Sequence, residues 1–175
     1  MMEHIAAMAQ ASLQWAQLSM FKQHYELRAG ETLIAAMEFR SAWGTLATAS
    51  SADGCWTFKR VGFWQNKASI RLCEGETDLA IFQNNTWSEG GTLTFADGAT
   101  FKATTNFWNT QLKFQTEADE PLVQFTIGGV FKASAEVEIL PVAMALKELP
   151  ILVLFGWYLV VMLQSDSAAV IAAVS

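Results

Sequence analysis

The chain has 175 residues, a formal net charge of −6, 52% hydrophobic residues that include seven Trp and twelve Phe, and only 16% charged residues. It is the size of one ordinary domain, able to bury roughly 70% of its unfolded surface, and its acidic balance excludes general nucleic-acid binding, which needs a basic face for phosphates. With so few charges against the usual ~25%, the chain either encloses something apolar or leaves apolar surface for a partner.

Residues 1–12 carry neither a basic n-region nor a continuous apolar h-region, so no secretory signal is expected and the segment reads as a tail or a short helix. From 13 to 140, short stretches rich in Phe, Trp, Thr, Val and Leu alternate with polar residues and are broken by turn chemistry. The expected strands are 13–19, 21–28, 32–39, 45–50, 55–61, 68–73, 79–83, 92–95, 99–105, 111–117, 122–127 and 133–140. Turns are expected at Ala29-Gly30, Asp53-Gly54, Gly75, Gly90-Gly91, Asp97-Gly98 and Gly128-Gly129, because glycine accepts the positive φ that tight hairpins demand. No crossover helices separate the strands, so the pairing is antiparallel.

An internal echo runs through the middle of the chain. Ala52-Asp53-Gly54 precedes Phe63-Trp64, and Ala96-Asp97-Gly98 precedes Phe107-Trp108 at the same offsets, a period of 44. Each copy carries a Phe-Lys step, Phe58-Lys59 and Phe101-Lys102. Two copies of this length fit a duplicated half-barrel better than a solenoid, which needs more units.

The pattern changes at Pro141. Residues 142–149 read as a short helix or linker, and 149–163 contain no charge at all. Pro150 suits the first turn of a helix, where its missing N–H costs nothing. An apolar run too long for a strand is read as helix, and a helix apolar on every face must be surrounded by protein or lipid. At ~22 Å it is short for a bilayer core of ~30 Å. Gln164, Ser165 and Asp166 interrupt it, and no Lys or Arg anchors its far side. A protein-buried helix is therefore expected, with a tail anchor as the rival. Twelve strands closed into a barrel leave a lumen that strand side chains alone cannot fill, and one apolar helix fills it. Within this scheme the core-helix residues are Leu152, Phe155, Gly156, Trp157, Tyr158 and Leu159. Gly156 admits a strand side chain closely, while the Trp157 N–H and Tyr158 O–H call for partners inside.

Three segments carry a resemblance: Tyr25-Glu26-Leu27-Arg28, Trp56-Thr57-Phe58-Lys59-Arg60 and Leu154-Phe155-Gly156-Trp157-Tyr158-Leu159. With the strands and the C-terminal helix they make residues 13–163 resemble small bacterial members of the tubby C-terminal-domain-like superfamily. That superfamily includes tubby proteins, phospholipid scramblases and plant LURP-one-related proteins. The resemblance implies a closed barrel around a central helix. The phosphoinositide-binding basic residues of tubby proteins and the acidic calcium segment of scramblases have no counterpart here, so neither activity carries over.

Strand alternation supplies the candidate surfaces. With Trp56, Phe58, Ile70 and Leu72 pointing inward, Lys59, Lys67 and Arg71 point outward, as do Lys102 and Lys113 in the second copy. This stripe suits an anionic headgroup or acidic partner, or is an ordinary solvated exterior. Arg60 falls on the inward parity and calls for an acidic partner at the barrel mouth. Phe63, Trp64, Trp87, Phe107 and Trp108 lie in connections, as an apolar rim for a partner or membrane or as plugs over the barrel ends. The acidic groups Glu74-Glu76-Asp78 and Glu117-Asp119-Glu120 lack a calcium-loop glycine pattern, and His4 and His24 do not cluster. Cys55 and Cys73 end neighbouring strands, where they could touch, but without metal-ligand spacing they read as free buried thiols in a cytoplasmic protein.

The expectation is an all-β closed antiparallel barrel of about twelve strands, residues 13–163, with an apolar helix at 150–163 through its centre and a tail at 164–175. No catalytic motif, cofactor site, metal site or nucleic-acid partner is expected. The expected role is a non-catalytic binding or scaffold module for an anionic lipid headgroup or a protein subunit. The alternative is a tail-anchored membrane protein with a cytosolic β-domain.

Overall fold

The structure, a computed structural model, describes residues 2–42, 44–62, 66–85, 90–106, 108–129 and 131–174, with the backbone alone at 169–171. Twelve strands make the barrel: β1 (Leu13–Ser19), β2 (Lys22–Ala29), β3 (Thr32–Phe39), β4 (Ala47–Ser51), β5 (Gly54–Val61) and β6 (Lys67–Leu72) come first. β7 (Ala80–Asn84), β8 (Gly90–Phe95), β9 (Thr100–Thr105), β10 (Gln111–Gln115), β11 (Pro121–Gly128) and β12 (Ser134–Ile139) follow. Each strand pairs antiparallel with its neighbours in sequence, and β1 closes on β12. Closure leaves no unpaired sheet edge.

One helix, α1 (Leu149–Val174), threads the barrel. A 3₁₀ turn at Pro141–Ala145 reverses the chain into it. Its side chains from Leu149 to Met162 are buried apart from Pro150 and Leu159, which are half-buried. Four consecutive residues fix its rotation and depth. Phe155 packs edge-on against Phe58 and Phe82, with ring centres 5.3 and 5.5 Å away. Gly156 faces β10 and β11, where a Cβ would overlap the Phe125 ring and stand 3.1 Å from Phe114. Trp157 stacks on Trp15 at 5.5 Å and meets Tyr25 edge-on. Tyr158 stacks on Phe39 at 5.7 Å and donates its hydroxyl to the Thr45 carbonyl at 2.7 Å. Successive residues of a helix step about 100° around its axis, so these four address four different sectors of the wall.

The structure departs from the sequence expectations at several points. The helix does not stop at Leu163 but runs to Val174, where a tail was expected. Among the described residues the Trp157 N–H, and that of its stacking partner Trp15, find no acceptor. Leu72, opposite Trp56 in register, sits on the last residue of β6 at the rim and is 49% exposed rather than inside. The 44-residue period spans four strands, β5–β8 and then β9–β12, so the echo is a third of the barrel and not a half. Cys55 and Cys73 are a disulfide, not free thiols: the β5–β6 register sets their Cα atoms 5.4 Å apart, within bridging range. That removes the ground for a cytoplasmic location, since disulfides persist in oxidising compartments.

Residues 2–12 are a tail with a fastening. Ile5 is fully buried, its N–H donates to Asp53 Oδ2 at 3.0 Å, and His4 Nδ1 lies 2.9 Å from Asp53 Oδ1. A 3₁₀ turn, Ala6–Met8, follows.

Candidate functional site

In an antiparallel barrel, successive connections alternate between the two ends. Here the alternation sorts residue chemistry. The helix enters at the end holding the chain's first residues and the β2–β3, β4–β5, β6–β7, β8–β9 and β10–β11 connections. Those connections carry Glu31, Asp53, the Glu74-Glu76-Asp78 group, Asp97 and the Glu117-Asp119-Glu120 group, and not one Phe, Trp or Tyr. The helix leaves at the opposite end, among the β1–β2, β3–β4, β5–β6, β7–β8, β9–β10 and β11–β12 connections. Every one of these six holds a Phe or Trp: Phe21, Trp43, Phe63 with Trp64, Trp87, Phe107 with Trp108, and Phe131.

Of the five residues expected to form an aromatic rim, Phe63, Trp64, Trp87 and Phe107 lie outside the described residues. Trp108 is described, and is 77% exposed. The structure adds Phe21, 92% exposed, and Phe131, 80% exposed, at the same end, beside exposed Leu18 and Met20. Sequence reading missed these because a lone aromatic in a short turn has no periodicity. Only the parity of the connections, known once the strands are counted, reveals the set.

Where the helix emerges, polar groups collar it. Arg60, on the inward parity of β5, donates to both carboxylate oxygens of Asp166 on α1, at 2.9 and 2.6 Å. This is the acidic partner that its parity demanded. The Asp166 hydrogen bond holds the Arg60 guanidinium charged against the opposing effect of burial. Burial pushes the Tyr158 hydroxyl, two turns below, up to about 12. Beside this pair, a recess of about 420 Å³ opens between α1 and the inner wall of β6–β10. Its floor includes Ala68, Phe82, Ala103, Leu112, Leu159 and Met162, and its rim Lys67 with Asn66, Asn84, Asn85 and Asn109. The rim amides also escaped the sequence reading, since asparagine in a turn ordinarily signals backbone geometry.

The expected basic stripe is placed on the outer wall from β5 to β10. Register aligns Lys67, Gln83, Thr92 and Lys102 across four strands, and Lys59 with Ser69, Ile81 and Thr94. Two of its five cations are already engaged. Arg71 Nε lies 2.6 Å from Asp78, and Lys102 Nζ 2.9 Å from Asp119, whose carboxyl Lys102 holds below the usual range. Among the described residues no ion pair is recorded for Lys59, Lys67 or Lys113. The stripe is therefore a weaker anion surface than the sequence suggests. Among the described residues, Lys22, Arg40, Lys67 and Lys132 stand around the exit mouth, with Glu38 and the Arg60-bonded Asp166 as carboxylates. No group of three or more His, Cys, Asp or Glu able to hold a metal occurs among the described residues.

Comparison of the chain with protein-family profiles, with curated proteins and with solved structures finds no match in any of the three.

Proposed function

We propose that the protein is a non-catalytic membrane-docking module that seats its helix-exit end on a lipid surface, with the acidic end turned away. The single observation that carries this reading is the sorting of aromatics: all six connections at one end hold Phe or Trp, and the connections at the other end hold none. Phe and Trp in the strand connections suit the membrane interface, where apolar and amphipathic rings partition at the boundary of headgroups and acyl chains. A protein partner fits less well, because the aromatics are spread over all six connections around the emerging helix and not gathered in one of them.

The helix supports the same orientation. By length and composition α1 could cross a bilayer, yet 67% of its most apolar stretch is buried inside the barrel. The part beyond the collar, 165–174, extends ~15 Å, about half of a ~30 Å hydrocarbon core. It reaches into one leaflet and does not span. Lys22, Arg40, Lys67 and Lys132 supply attraction to anionic headgroups, worth about 1 kcal/mol for each basic residue near the surface. The kinship with tubby-like proteins is part of the proposal and rests on the barrel, the central helix and the three short segments.

Sedimentation with vesicles tests it. The full chain should pellet with phosphatidylserine-containing vesicles, less with phosphatidylcholine alone, and less again at high salt. Phe21→Ser and Phe131→Ser should each weaken binding about tenfold while leaving the melting temperature unchanged. No sedimentation with either vesicle would overturn the proposal.

A further inference from the structure

The recess at the exit mouth is a binding cavity for which docking alone gives no reason. It exists because the inner wall is thinned where it faces the upper helix. Ala68 on β6 stands between Arg60 and Phe82, and Ala103 on β9 between Gly91 and Phe114, while Gly91 on β8 lies so close beneath Phe82 that even a Cβ would overlap its ring. Opposite them are Leu159, Met162 and Leu163 of α1. A well-packed interior leaves few voids larger than a water molecule, and about 420 Å³ lies in the range of ligand pockets, about 300–1,000 Å³. The chemistry is graded along its depth. The floor is mostly aliphatic and aromatic, and Lys67, Asn66, Asn84 and Asn109 line the opening. Arg60 and Asp166 also line it but satisfy one another. Among the described residues Lys67 has no recorded ion pair, so an anion at the rim meets one available cation and several amide donors.

We infer that this cavity takes one acyl chain of a single-chain anionic amphiphile, with the tail along Phe82, Leu159 and Met162 and the carboxylate or phosphate at Lys67. A sugar or nucleotide would leave its hydroxyls buried and unpaired against the floor, which is costly. The opening lies at the end proposed to face lipid, and to that extent the inference rests on the docking proposal. A membrane lysophospholipid and a free fatty acid share the recognised chemistry.

The test uses the full chain in solution without vesicles. A fluorescent fatty acid below its micelle concentration should bind saturably at one per chain, and palmitate should displace it. Ala103→Leu, which fills the floor, should weaken binding at least tenfold. Lys67→Gln, an exposed change that leaves the core intact, should weaken palmitate severalfold and its methyl ester not at all. Chain incubated with vesicles and re-isolated is then extracted for mass spectrometry: retained lysophospholipid or retained fatty acid each supports the inference and identifies the source. Absence of saturable binding, or binding indifferent to Lys67→Gln between palmitate and its ester, overturns it. Vesicle sedimentation without amphiphile binding would sink the cavity and leave docking standing, and the reverse result would do the opposite.

Discussion

At the scale of single residues, the helix is keyed to the barrel by Phe155, Gly156, Trp157 and Tyr158. Glycine in a helix interior costs about 1 kcal/mol relative to alanine, so its presence at 156 calls for a compensating contact, and Phe125 with Phe114 is that contact. Gly156→Val should therefore destabilise the protein by about 1–3 kcal/mol through overpacking, seen as a drop of several degrees in thermal midpoint. An unchanged midpoint would mean the helix sits elsewhere. The two tyrosines offer a second check. Burial pushes both Tyr25 and Tyr158 up to about 12, above the ~10 of an unfolded chain. A folded value above the unfolded one means the contribution is intact below pH ~10 and lost as pH rises through about 12, because the unfolded chain releases its phenolic protons first. Phenolate absorbance of the native protein should thus stay flat past pH ~10 and then rise together with loss of the fold. A phenol titrating near pH ~10 in folded protein would contradict its burial.

At the scale of elements, α1 has two parts with different duties. The first, 149–163, is the core of the barrel, and the second, 165–174, is exposed where its side chains are described. A chain ending at Leu149 should aggregate or fail to unfold cooperatively, since the inward faces of twelve strands lose their packing partner. A chain ending at Ser167 keeps the Asp166–Arg60 pair and should melt near the full-length temperature while sedimenting less with vesicles. Equal sedimentation of the two would assign docking to the loops alone. The first part was legible in the sequence because a charge-free run with proline in its first turn has few other readings. The second was not, because Gln164, Ser165 and Asp166 look like an ending, whereas Asp166 is in fact held by Arg60 from the wall. Strands β1 and β3 match their expected bounds because alternation and turn residues agree there. What alternation does not encode is irregularity. The β2–β3 register shifts at Leu27/Arg28, and Ile34 and Ala35 are both fully buried despite being adjacent, as a bulge allows. The closeness of Cys55 and Cys73 was legible from their strand ends, but not the bond itself, because only the register brings their Cα atoms to 5.4 Å.

At the scale of the whole molecule, two docking geometries compete, and the tryptophans separate them. Seating by the exit end brings its ring of connections toward lipid, whereas seating by the basic stripe lays the wall of β5–β10 on the surface. Four of the seven tryptophans, Trp43, Trp64, Trp87 and Trp108, belong to exit-end connections. The other three, Trp15, Trp56 and Trp157, are buried within the barrel. Vesicles whose acyl chains carry bromine quench only indoles that reach the hydrocarbon boundary. Exit-end docking should therefore quench a large share of the emission, and side-on docking almost none, because every strand and helix indole is shielded by the wall. Charge reversal gives the matching electrostatic result. Lys22→Glu with Lys132→Glu should weaken vesicle binding strongly, while Lys59→Glu with Lys113→Glu should weaken it only slightly, their charges lying farther from the surface and screened over a Debye length of ~10 Å. If the second pair had the larger effect and bromine left the emission unchanged, the membrane would lie along the stripe. The aromatic sorting of the two ends would then need a different physical cause.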